Sequence, residues 1–157
     1  MTLRAAAVLL FVVLAMPAAA CELAPGLGAL RAELLDLANA ERARAGLPGL
    51  TRDLRLEQAA QTQACRTADR GDLTHRGSWF AGLGRRLRRE DYPYAMAVEN
   101  LAEGQRDAAE AMAGWVGSPE HRHNLLDPRA REAGFGIAVE DGGRLHWSMV
   151  AAAQRAE

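Results

Sequence analysis

The stretch SPEHRHNLL, Ser118 to Leu126, sets an acid and two imidazoles close together: Glu120, His121 and His123. Side chains of these types can hold a divalent cation or move protons near neutral pH. Their spacing decides which of them can act. Ser118 suits the N-cap of a short helix, Pro119 its first position, and Pro128 lies just past its end. Residues two apart on a helix point about 200° apart, so His121 and His123 cannot clamp one ion between them. His121 shares a face with Leu125 and is predicted to point inward; His123 and Glu120 are predicted at the surface. The first turn of a helix also disfavours a protonated imidazole, which keeps His121 in the form that binds metal or accepts a proton.

One inward histidine is not a site, so partners must come from elsewhere in the chain. The candidates are His75 in LTHRGS, Glu99 in VENLAEG and, less plausibly, His146. Glu99 is the most informative acid, because a carboxylate inside an apolar strand is costly unless it is paired. The sequence has no G-x-S-x-G elbow and no H-E-x-x-H helix. Its two cysteines, Cys21 and Cys65, are too few for a zinc–cysteine cluster.

Several elements must position these groups. Leu30, Leu34 and Leu37 recur at helical spacing before Gly46 and Pro48. A second helix follows, started by Thr51 or Asp53 and ended at Gly71, with Leu56, Ala60 and Ala64 on one stripe. A turn and a shorter helix come next, and its run RRLRRED reads as a solvated face, with an anionic surface partner as the minority reading. YAMAVENLAEG nearly alternates and predicts a strand; RDAAEAMAGWVG predicts a helix. Two apolar strands flank Asp141-Gly142-Gly143, a hairpin turn. This order predicts an α+β domain with a small antiparallel sheet.

The first twenty of the 157 residues have a different character: Arg4, an apolar run from Ala5 to Met16, Pro17, then Ala18 to Ala20. That is the layout of a secretory signal peptide cleaved after Ala20, leaving residues 21–157 as one domain with no transmembrane segment. Export to an oxidising compartment favours a Cys21–Cys65 disulfide. The rival reading makes Cys21 a lipid-anchored first residue and leaves Cys65 a free thiol. The net charge of −1 gives no electrostatic case for nucleic acid.

Four motifs in order, NAERARAGLPGLTRDLRLEQAAQTQA, THRG, VENLAEG and GWVGSPEHRHNLLDPRAREAGFGIA, followed by a closing strand with Trp147, resemble the CAP superfamily. That superfamily comprises the cysteine-rich secretory, antigen 5 and pathogenesis-related proteins with an SCP-like domain, and the likeness here is to its short bacterial exported branch. The resemblance implies a three-layer α-β-α sandwich. It also implies a cleft carrying His75, Glu99 and His121, able to take zinc or another divalent cation. The family's second acid falls on Ser118, so this set of four is incomplete. The resemblance further implies a secreted or periplasmic binding or interaction module for a small ligand, lipid or cell-envelope component. Two alternatives are a metal-assisted hydrolase of peptidase or esterase type, with Glu99 as general base, and a lipid or sterol binder.

Overall fold

The computed structural model describes residues 21–71 and 79–156. The elements run β1 (Glu22–Leu23), α1 (Leu27–Arg44), β2 (Thr51–Arg52), α2 (Leu54–Arg70), α3 (Trp79–Arg89), β3 (Tyr94–Glu103), α4 (Ala108–Gly117), α5 (Pro119–Leu125), β4 (Glu132–Val139) and β5 (Leu145–Gln154). The sheet is ordered β1-β4-β5-β3, antiparallel along that path. The two-residue strand β2 also pairs with β4, in parallel. β1 and β2 escape a sequence reading because two residues show no period.

Alternation along β3, β4 and β5 divides the side chains between two helical layers. Phe135, Ile137, Trp147 and Met149 face α1, α4 and α5, where they pack with Leu34, Met112, Trp115 and Leu125. Val150 and Ala152 face α2 and α3, against Leu56, Ala60, Leu83 and Leu87. The expected α-β-α sandwich is therefore what forms.

The α2 layer lies unusually close to the sheet. Gly134 and Gly136 make this possible: a Cβ on Gly134 would come within 2.1 Å of the Glu57 amide nitrogen, and one on Gly136 within 2.3 Å of the Gln61 amide nitrogen. The facing stripe of α2 is small to match, with Ala59, Ala60, Ala64 and Ala68 buried. Asp53 starts the helix by accepting bonds from the Arg55 and Leu56 amides, and Gly71 ends it in the left-handed conformation.

The outer edge of β4 is covered at its ends by β1 and β2, and side chains fill the gap between them. Arg31 of α1 donates through Nε to the Phe135 carbonyl at 2.8 Å. The Gln61 amide both donates to the Ile137 carbonyl (3.0 Å) and accepts from the Ile137 amide (3.2 Å), as a neighbouring strand would. An edge closed in this way offers no template for another strand.

Cys21 and Cys65 form a disulfide, with Cα atoms 5.4 Å apart. It ties the segment before β1 to α2 across a separation of 44 residues, worth roughly 4 kcal/mol in the chain-entropy model. The bond engages the sulfur that lipidation of Cys21 would modify. Among the described residues no helix is long and apolar enough to cross a membrane. Residues 1–20, with the proposed cleavage point at Ala20, lie outside the described residues.

Candidate functional site

The candidate site sits at β3, the strand at the other edge of the sheet. Glu99 projects towards α2 and α3, and its side chain is 5% exposed. Its carboxylate is paired with the guanidinium of Arg86, itself 4% exposed. Arg86 is held from the α2 side as well, donating through Nη1 to Gln63 Oε1 at 2.7 Å. Burial pushes the Glu99 carboxyl above its ordinary pKa, and Arg86, with Arg66 of α2 behind it, pulls part of the way back.

Arg86 corrects the reading of RRLRRED as a solvated face. Leu83 and Leu87 are both buried against α2. Arg86 lies three residues after Leu83 and one before Leu87, on the inward side of the same helix. The signal was present as helical spacing, but composition alone hid it. Arg85, Arg88 and Arg89 do lie at the surface.

The neighbouring residue, Asn100, points to the opposite face and fastens α5 to the strand. Its Nδ2 donates to the His121 carbonyl at 2.8 Å, and its Oδ1 accepts from Asn124 Nδ2 at 2.9 Å. Asn124 Nδ2 also donates to the Glu99 carbonyl at 3.2 Å. Glu99 and His121 are thereby linked through two asparagines whose role the sequence reading did not identify. The other end of α5 is fixed by Arg42, fully buried in α1, which donates to the carbonyls of Leu125 (2.9 Å), Asp127 (3.0 Å), Ala130 (3.3 Å) and Pro48 (2.9 Å).

The helix carrying SPEHRHNLL behaves as its spacing predicts: Leu125 is buried, His121 half-buried and engaged by its surroundings, and Glu120 and His123 exposed. Ser118 occupies the N-cap position, but its hydroxyl makes no capping bond; its carbonyl accepts from the Arg122 amide at 2.8 Å. It supplies no second acid. His75 lies outside the described residues. His146 is fully buried at the start of β5, opposite Glu103, with Nε2 2.9 Å from Glu140 Oε2. That pairing helps hold the Glu140 carboxyl below its ordinary value and marks His146 as a partner of the hairpin, not of Glu99.

A family model, that of the cysteine-rich secretory protein (CAP) family, matches residues 35–151. The chain belongs to the CAP family. It is 30% identical over 110 residues to the uncharacterized protein YkwD of Bacillus subtilis, covering 70% of this chain and 42% of that protein. Among solved structures it is similar to an extracellular SCP-domain protein of Bacillus anthracis (26% identity, TM-score 0.68), over 82% of this chain and 41% of that one. An outer surface protein of Borrelia burgdorferi (20% identity, TM-score 0.67) shares the fold over 82% of this chain and 92% of its own. This CAP chain thus spans less than half the length of the curated relatives it matches.

At Glu99, the resident cation that CAP membership brings to mind meets a site already filled by a guanidinium. The buried Glu99 carboxylate already has a cationic partner in Arg86. Glu99 is therefore not set up as an open ligand, and no chemical step is derived through a metal.

Proposed function

We propose that this CAP chain is an exported binding module, with its contact site in the cleft at β3, where Glu99, His121 and His75 are the residues of interest. The observation that carries this reading is the convergence on Glu99. A carboxylate on an edge strand is buried at a cost, and elements on both sides engage Glu99: Arg86 of α3, held by Gln63 of α2, pairs with its carboxylate, and Asn124 of α5 donates to its main-chain carbonyl. An apolar residue would serve packing better at such a position, so the arrangement is kept for contact with something else. The Cys21–Cys65 disulfide and the leader-like first twenty residues support export to an oxidising compartment, secreted or periplasmic.

Binding is favoured over hydrolysis because a general base must be free to take a proton, and the Glu99 carboxylate is occupied by a guanidinium. The test is chemical-shift mapping of the purified oxidised chain during titration with soluble cell-wall fragments, with the same mixtures followed for products. Shifts centred on Glu99, Asn100, His121 and Asn124 without turnover support the module. Turnover abolished by Glu99→Gln would replace it with a hydrolase, and shifts confined to other surfaces would remove the cleft from the account.

A further inference from the structure

We propose that Arg86 stands in the cation's place in this cleft and denies Glu99 to divalent metals. The inference rests on the cleft reading above and deepens it, by stating what kind of ligand Glu99 will not take.

Three observations carry it. First, the pair is closed: both side chains are about 95% buried, so an ion would have to displace the guanidinium rather than bind beside it. Second, Arg86 is not a flexible surface arginine that could swing away. The helix that bears it packs Leu83 and Leu87 against α2, and Gln63 holds its Nη1 at 2.7 Å. Third, the surrounding field is cationic. Arg66 lies near enough to act on Glu99, and Arg66 itself is held below its ordinary pKa by burial and by Arg86, Arg89, Arg70 and Arg85. A divalent ion at Glu99 would face the repulsion of this cluster in a poorly solvated site, where charges act strongly on one another.

Arg86 Nε is buried without a hydrogen-bond partner among the described residues. An arginine placed only to stabilise the fold would be expected to satisfy that donor. Here the side chain is aimed by what Glu99 and Gln63 require.

The experiment is calorimetric titration of the purified oxidised chain with zinc chloride, using wild type, Glu99→Gln, Arg86→Gln and the double variant, each checked by circular dichroism. Histidines elsewhere can take zinc, so the quantity read is the part of the affinity that depends on Glu99. Wild type and Glu99→Gln are expected to be indistinguishable. Arg86→Gln is expected to gain at least about tenfold in zinc affinity, and the double variant to lose that gain. A wild-type affinity that falls tenfold or more in Glu99→Gln would overturn the proposal. So would a folded Arg86→Gln chain with no Glu99-dependent gain. If Arg86→Gln does not fold, Arg86→Met replaces it, and the comparison of wild type with Glu99→Gln decides by itself. The shift mapping above is done without zinc, so loss of cleft binding there would remove the module while leaving the exclusion of metal by Arg86 intact.

Discussion

The two faces of the sheet are built on different principles. The face towards α1, α4 and α5 is filled with large apolar side chains. Trp115 stacks on Phe135 with centroids 6.5 Å apart, and its indole N–H reaches the Leu101 carbonyl at 3.2 Å. The face towards α2 and α3 combines a close backbone approach at Gly134 and Gly136 with a line of polar residues: Glu99, Glu103, His146 and Ser148. Atoms of three of these, and Arg86 Nε, are buried without partners among the described residues: Glu103 Oε2, His146 Nδ1 and Ser148 Oγ. Large side chains fill most of one face, and its buried polar groups Asn100 and Arg42 are engaged in fastening α5. On the other face, contact is made by small residues, and the chemistry gathers at the β3 side.

Substitutions should separate the two faces. The largest effect is expected for Gly134→Ala, which drives a methyl into the backbone of α2. Because helix backbone cannot yield as a flexible side chain does, the cost should exceed roughly 4 kcal/mol, read as loss of a cooperative melt or a collapse in Tm. Trp115→Ala on the sealed face should cost about 3–5 kcal/mol by chemical denaturation, yet leave cleft binding in place in the folded fraction.

The smallest effect is expected at the start of α2. Burial raises the Asp53 carboxyl, but bonds from the Arg55 guanidinium and from the Leu56 and Arg55 amides outweigh it and leave the pKa below 3.8. A carboxyl lowered in the folded state adds stability above its unfolded pKa and loses it as pH falls through the folded value. Asp53→Asn keeps a capping oxygen, so it should change stability at pH 7 by under about 1 kcal/mol. It should also flatten the loss of stability below pH 4, measured as Tm against pH.

The main helices and the closing hairpin were largely legible in the sequence. The spacing of Leu30, Leu34 and Leu37, the caps Asp53 and Gly71, and the Asp141-Gly142-Gly143 turn all mark elements that form where expected. Glu99 stood out because an acid inside an apolar strand demands a partner. Its partner did not, since Arg86 is one of four arginines within a short run and only its helical spacing from Leu83 and Leu87 singles it out. Asn100 and Asn124 were equally silent, because an amide that bridges two backbones has no periodic signature. Ser118 shows the reverse: its type and position predict a cap, but the hydroxyl makes no such bond.

Arg86 and Glu99 act as one buried unit, and a double-mutant cycle on stability tests this most directly. Arg86→Gln and Glu99→Gln, alone and together, are compared by denaturant unfolding at neutral pH. Each single change leaves a buried charge unmatched and should cost about 3–5 kcal/mol. The double change should cost less than the two summed, with a coupling of roughly 1–3 kcal/mol. Single costs that simply add, with a coupling near zero, would contradict a site organised around that pair.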